Sequence, residues 1–307
     1  MRLRNYAIAL LLLTAACKKN NDEEAPAPTG PTGPTGPNVS SASLTAQMAA
    51  GGFTVYNRYT INVSSLQPTT GTGQTWNYSA LTSGVVDTMR FVAASNPTFG
   101  AATYLRNQLV DFGVGGNTQV INLSTYYQVS PAGWFELGHS MPAVNFVVPA
   151  TATINFAAQS NVYTPAPNRM PLTPALPAYV GDSVSFTSII QDSGRVTAPN
   201  FFLSNTPVSV KTTNSGVVKV AGSGALQMPG ASAAVNAVLI TRTYTRVNNF
   251  LLNGTTPPVQ LLGMLGITDG QSTAVVAYDF YGQGNEGYLG SIYRENGTTL
   301  YAYFRKQ

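Results

Sequence analysis

Glycine and proline interrupt this chain so often that a helix of ordinary length has no room to form. The 307 residues contain 29 Gly and 20 Pro, which punctuate every stretch where apolar residues could recur at i, i+3 and i+4. What survives between them are short runs alternating apolar and polar residues with period two, the pattern of a half-buried strand. Ser, Thr and Asn fill the polar positions. Only 9 % of residues are Asp, Glu, Lys or Arg, against ~25 % in an ordinary domain. Thr, Tyr, Val and Phe suit a pleated surface. These patterns predict an all-β fold, an antiparallel β-sandwich-like domain. The chain has one cysteine, so no internal disulfide can brace it. Packing and sheet ladders must carry the stability, and a body of this length buries enough surface for that.

Strands are expected at 52–63, 85–93, 118–129, 183–190, 208–212 and 237–247. In the run VLITRTYTRV, Val238, Ile240, Arg242, Tyr244 and Arg246 share one face, and Leu239, Thr241, Thr243, Thr245 and Val247 share the other. Arginines on one face and threonines on the other predict a strand that leaves the core as it runs, or one with a solvated face. The C-terminus predicts a hairpin, 288–294 with 299–304, around Asn296 and Gly297. Asn-Gly suits a type I′ turn, which needs φ > 0 at both central residues. The Pro-rich stretch 164–177 is either a boundary between two domains or a long crossover within one. One domain is preferred, because sandwiches and barrels run to ~200–250 residues as single units.

The N-terminus carries a different message. Arg2 and Arg4 precede an apolar run at 6–13, then Thr14, Ala15, Ala16 and Cys17. A basic segment, a short apolar segment and a small-residue end are the layout of a secretory signal. The apolar run is far shorter than the ~20 residues a membrane-spanning helix needs. Leu-Thr-Ala-Ala-Cys resembles a bacterial lipobox, departing from it at Thr14, where the family usually has leucine. The resemblance implies a diacylglyceryl group on Cys17 and cleavage that makes Cys17 the first mature residue. Each buried CH₂ of such a chain contributes ~0.8 kcal/mol, and two chains give a stable anchor. The acids Asp22, Glu23 and Glu24 that follow resemble the export signal of surface-displayed lipoproteins in Bacteroidota. That implies a lipid-anchored protein of the outer membrane, exposed at the cell surface, with the membrane as partner through its N-terminal lipid.

Residues 25–38 (APAPTGPTGPTGPN) place Gly30, Gly33 and Gly36 in period three. So few triplets cannot hold a collagen helix; a stiff, solvated polyproline II spacer of ~3.1 Å per residue is expected instead. The organisation read from the sequence is a lipoprotein signal peptide at 1–16, then the acylated cysteine with a Pro/Gly/Thr-rich disordered linker at 17–44. An all-β domain follows at 45–307, with a candidate internal boundary near 164–178. Within it, GTGQTWNYSAL (71–81), YYQVSPAGWFELG (126–138), LPAYVGDSVSF (176–186), SGALQMPG (223–230) and AYDFYGQG (277–284) together resemble a β-rich module of secreted and surface proteins of Bacteroidota. No activity comes with that resemblance.

Residues able to do chemistry are few. His139, the only histidine, lies in LGHSMP, which reads as a turn. One histidine cannot build a His-based metal cluster, and no G-x-S-x-G elbow supplies a serine for a Ser–His–Asp set. No calcium loop is present. The Gly-rich pieces 113–117 and 222–224 lack the Lys-Ser/Thr and helix of a phosphate loop and read as turns. No metal, cofactor or catalytic residue is predicted. Asp279 and Glu286, in YDFYGQGNEGY, are the candidate acid pair for hydrolysis of a glycan, which needs two carboxylates facing each other. Tyr126, Tyr127, Trp134, Tyr278 and Tyr281 are candidate ligand-binding residues: exposed, they would stack on sugars; buried, they would be core. Asp87-Thr88-Met89 and Asp182-Ser183-Val184 match the pattern used for O-glycosylation in Bacteroidota, making Thr88 and Ser183 candidate acceptors. The net charge is +4 and the basic residues are scattered; only Arg242 and Arg246 share a face. That excludes the clustered stripe of a nucleic-acid binder. The reading is a non-enzymatic surface lipoprotein, a binding or structural module for a glycan or a surface protein. The alternatives are a surface polysaccharide hydrolase and an accessory subunit of an envelope assembly, the latter marked by a large apolar patch.

Overall fold

The computed structural model describes residues 36–306, apart from 49–52, 61–62, 64–65, 83, 115–116, 149–151, 166, 168 and 285. Cys17, the acidic cluster and most of the spacer lie outside the described residues. The first strands in chain order are β1 (Asn38–Val39), β2 (Phe53–Tyr59), β3 (Gly71–Asn77), β4 (Val85–Ala93), β5 (Tyr104–Val114) and β6 (Asn117–Ser130). Next come β7 (Gly133–Met141), β8 (Val144–Val148), β9 (Ala152–Phe156), β10 (Gln159–Val162), β11 (Met170–Pro171) and β12 (Ala178–Tyr179). The last are β13 (Ser183–Ala198), β14 (Leu203–Gln227), β15 (Val235–Leu252), β16 (Gln271–Gly282), β17 (Gly287–Glu295) and β18 (Thr298–Arg305). Two short helices, α1 (Ser41–Met48) and α2 (Val259–Leu265), accompany them. Neither is long and apolar enough to cross a membrane.

The fold is all-β, antiparallel and sandwich-like. One 16-stranded sheet runs β10-β7-β6-β5-β4-β2-β18-β17-β16-β15-β14-β13-β9-β8, with β11 added on β7 and β3 on β14, while β1 and β12 pair separately. The β3–β14 ladder is parallel. The sheet curls until its first strands meet β13. There the side-chain amide of Gln159 on β10 donates to the Ser193 carbonyl and accepts from the Ser193 N–H, both at 2.9 Å. Thr164 and Ile189 add a backbone bridge. A side chain thus imitates a ladder rung and closes the edge that β10 would otherwise expose.

Each predicted strand is present; several are extended, and the expected 52–63 is shorter, Phe53–Tyr59. Val85–Ala93 matches its expected bounds, whereas the expected 208–212 is part of β14, 25 residues long. The glycines that hid it from view lie inside the strand. A Cβ on Gly224 would sit 1.9 Å from the Gln74 carbonyl oxygen, so the missing side chain is what lets β3 lie alongside. Residues 222–224 are therefore strand, not the turn their composition suggested. The C-terminal hairpin forms as expected, with φ of 47° at Asn296 and 81° at Gly297.

Two segments read as linker are packed structure. Residues 38–44, assigned to the disordered spacer, form β1 and the start of α1; Val39, Leu44 and Met48 are fully or nearly fully buried. Ser40 Oγ accepts from the Ser43 N–H and so caps the helix. The Pro-rich stretch 164–178, read as a candidate domain boundary, is a strap against β7. Leu172, Leu176 and Ala178 are buried in the same cluster as Trp134 and Val238, and Thr173 Oγ1 accepts from the Trp134 N–H at 2.9 Å. Residues 36–307 make one compact unit.

The apolar residues fall into separate clusters, and their placement decides where a site can exist. One cluster lies on the outer side of β15–β18, where Leu239, Phe280, Phe304 and Ile292 are covered by Trp76 of β3 and by Tyr78. Two others occupy the inside of the curl. Val238, Ile240, Tyr281 and Trp134 pack at one end, and Phe250, Val208, Phe146 and Leu261 pack at the other. Between these two ends the interior mixes a small apolar cluster, Tyr163, Met170 and Ile190, with charged and amide side chains.

Candidate functional site

The interior face of β15 reads Val238, Ile240, Arg242, Tyr244, Arg246, Asn248, Phe250. It starts in one apolar cluster and ends in the other, and its middle lines a cleft of about 780 Å³. The facing Thr243 and Thr245 point to solvent. The alternation expected from the sequence is correct, and the threonine side is the solvated one. The arginines instead turn inward.

The opposite wall comes from β5 and β7, and β13 closes the side between that wall and β14. Glu136 and His139 on β7 are three residues apart and would point to opposite sides of a regular strand. A bulge corrects this: Tyr126 pairs with Gly138 but Tyr127 with Glu136, leaving Leu137 as the extra residue. Gly138 has φ of 144°, and a Cβ there would lie 2.0 Å from the Asn161 carbonyl oxygen. Bulges of this kind re-aim side chains beside sites. Here the bulge brings Glu136 and His139 together on the cleft wall. His139 is thus a strand residue and not the turn residue its sequence context predicted.

Charged groups in the cleft are held in pairs. Arg242 Nε and Nη2 donate to the two oxygens of Asp279 at 2.6 and 3.3 Å, with only 2 % of the Asp279 side chain exposed. Arg246 bonds Glu295 through Nη2 and donates from Nη1 to the Tyr293 hydroxyl, which in turn donates to Glu295 at 2.8 Å. His139 Nε2 lies 2.8 Å from Asp192 Oδ1, which also accepts from the Asn161 amide at 2.7 Å. The Tyr163 hydroxyl donates to Glu136 Oε1 at 2.9 Å. Burial pushes the Glu136 carboxyl above its ordinary value, with Tyr163 and the nearby His139 and arginines acting against that. Burial, reinforced by Glu136, drives Tyr163 well up in the same way. Burial opposes the charge on Arg242, but the Asp279 carboxylate overrides it and holds the guanidinium protonated. Asn214 on β14 is buried and Tyr244 half-buried; both line the cleft. Asp111, Thr268 and Gln271 are exposed at its rim.

No protein-family model matches the sequence, and no curated protein or solved structure is significantly similar to it. The site must therefore be read from its own chemistry. A concave space with convergent donors and acceptors and shifted titrating groups is where a ligand or a reaction belongs. A second groove, of about 970 Å³, runs along β8, β9, β13 and β14. Arg195 is the sole charged side chain among its lining residues, and it is committed to the Asn205 carbonyl at 2.9 Å. Its lining is otherwise amide, hydroxyl and apolar, without the convergence of the cleft.

The residues singled out from sequence fare differently. Tyr126, Tyr127, Trp134, Tyr278 and Tyr281 are all buried, so none is an exposed platform for sugar rings. They point to different faces of the sheet, and both faces are covered: Tyr126 stacks on Phe99 at 4.0 Å, and Tyr278 belongs to the outer apolar cluster. Tyr127, Trp134 and Tyr281 line a small chamber that shares Glu136 and Arg242 with the cleft. Asp279 and Glu286 do not act as a pair. Asp279 is bound by Arg242 from the neighbouring strand, while Glu286 lies in the turn before β17 and bonds Arg305. Thr88 and Ser183 are exposed, on β4 and at the first residue of β13. The sequence reading missed Glu136, His139 and Asp192 as a group. The usable signal was Arg242 and Arg246 on the same strand face as Val238 and Ile240: a charge that alternates in phase with core residues points into the protein.

Proposed function

We propose that this chain is a non-enzymatic, lipid-anchored surface protein whose β domain captures a polar ligand, a glycan or a segment of a surface protein, in the cleft between its facing walls. The observation that carries the reading is the inward face of β15, where Arg242, Tyr244 and Arg246 interrupt an otherwise apolar interior. Ion pairs taken out of water rarely stabilise a fold more than apolar residues of the same size. A polar interior open to solvent is consistent with selection for binding. Anchoring through Cys17 and display at the outer surface rest on the lipobox and the acids that follow it.

Two measurements test this. A glycan array probed with the full chain should show binding that Tyr244→Ala abolishes while the melting temperature stays within a few degrees. Binding that survives Tyr244→Ala would move the site elsewhere. Labelling with palmitate should mark the wild type and leave Cys17→Ser unmarked; an unlabelled wild type would remove the anchor. A hydrolytic reading has one observation in its favour. Glu136, a buried carboxyl with a raised proton affinity, and Asp192 line the same cleft, the kind of environment that separates an acid from a base. Release of reducing ends from any bound glycan, lost in Glu136→Gln, would decide for it.

A further inference from the structure

Behind the cleft, past Glu136 and Arg242, lies a chamber of about 140 Å³ bounded by Arg106, Trp134, Tyr127 and Tyr288. Its polar groups do not balance. Arg106 on β5 is half-buried and makes no hydrogen bond or ion pair among the described residues. Trp134 is 7 % exposed, and its indole Nε1–H has no acceptor among the described residues. Arg242 uses Nε and Nη2 on Asp279, and its Nη1 has no hydrogen bond among the described residues. On the acceptor side, both oxygens of Asp279 are taken by Arg242, and Glu136 offers one oxygen beside the one that Tyr163 occupies. A buried donor without a partner is unfavourable by itself and becomes an asset once a ligand supplies the acceptor.

We propose that this chamber seats a carboxylate of the ligand, so that the protein selects acidic saccharides, those carrying a uronic acid, over neutral ones. The proposal rests on the cleft being the binding site. The planar fork of Arg106 matches a carboxylate edge in bidentate fashion, and the Trp134 N–H supplies a third donor. A single negative charge fits where a double one does not, since the Asp279 carboxylate already stands in the wall and would repel a phosphate dianion. The cleft then holds the rest of the ligand, with Tyr244, Asn214 and Asn248 facing its hydroxyls.

The test is calorimetric titration of the full chain with glucuronate, galacturonate, glucose, galactose and acetate. The uronates should bind at least about tenfold more tightly than the neutral sugars, the scale of one charge-assisted hydrogen bond. Arg106→Met should erase that preference with an unchanged melting temperature in the absence of ligand. Arg106→Lys, which keeps the charge but loses the fork, should lose part of it. Trp134→Phe should weaken uronate binding without lowering the melting temperature, since it removes an orphan donor. Acetate binding as tightly as the uronates would support a carboxylate seat and show that the sugar ring adds nothing. Equal binding of acidic and neutral sugars, or uronate binding untouched by Arg106→Met, would overturn the carboxylate seat and leave the cleft standing. Binding of none of the five would overturn the carboxylate seat, and together with an empty glycan array it would overturn the glycan reading of the cleft as well.

Discussion

Strands β15 to β18 carry two faces built on the same ladders, and the faces have little else in common. On the outer face, Leu239, Phe280, Ile292 and Phe304 pack under Trp76 and Tyr78. The rings meet at 5.3 Å for Trp76 with Phe280 and 4.9 Å for Tyr78 with Phe304. On the inner face, Arg242, Arg246, Asp279, Tyr293 and Tyr301 surround open space. Backbone hydrogen bonding is shared, so the contrast is one of side chains alone. The outer face removes apolar surface from water, which stabilises at ~25 cal/mol per Å². The inner face holds charges whose mutual attraction roughly offsets their desolvation. The outer face is apolar packing throughout, whereas the inner face has two apolar ends and a charged middle, and a residue's parity along the strand decides which face it joins.

Substitutions on each face can break that division. Phe280→Ala, which opens a cavity in the outer cluster, should lower unfolding free energy by ~3–5 kcal/mol and leave ligand affinity of the folded protein unchanged; a large loss of affinity would show that the faces are coupled. Asp279→Ala should lower stability by a similar ~3–5 kcal/mol, because it strands the Arg242 charge. The two differ in their remedy. Arg242→Met combined with Asp279→Leu should restore the wild-type stability in chemical denaturation, or exceed it by ~1–4 kcal/mol, and abolish binding. A double variant as unstable as the single one would mean that the inner pair holds the fold together.

Smaller effects sharpen the same contrast. Gly138→Ala forces a side chain into left-handed backbone and against the Asn161 carbonyl. It should lower stability by ~1–3 kcal/mol and weaken binding by misdirecting Glu136 and His139. For Glu136 the sign follows from its raised proton affinity. The native state keeps a proton that the unfolded chain has lost, so stability falls as pH rises from the ordinary 4.5 through the raised value. Glu136→Gln should flatten that part of the profile, and its advantage in melting temperature over the wild type should grow with pH across it. At the bottom of the scale, Glu286→Ala removes a half-exposed partner of Arg305 and should change stability by less than ~1 kcal/mol.

Much of the sheet was legible because period-two alternation is a local property. Residues 85–93, 118–129 and the Asn296-Gly297 hairpin needed no partner to be recognised. Strand β14 was legible only in part: its glycines, ordinarily punctuation, serve a close approach between strands that are distant in sequence. Val39 and Leu44 read as linker because a short Ser/Ala/Thr run has no amphipathic length; the site that buries them is made by residues far along the chain. The cleft was the least legible. Glu136 and His139 share it through a bulge, and bulges shift parity without a reliable mark in composition. The aromatic residues were legible as a set, but alternation alone left open whether they were exposed platforms or core, and the structure makes them core.

The sequence by itself determined the class of fold: glycine and proline exclude long helices, hydroxyl-rich alternation demands a sheet, and a single cysteine leaves packing to hold it. It also determined which residues share a face along a regular strand such as 238–247, since there that depends only on counting by two. Which face looks inward, and that charged residues occupy part of the inward one, was decided by the curl that brings β5 to β7 opposite β13 to β18. Burial is a relation between segments far apart in the chain, so a strand's own residues cannot state it.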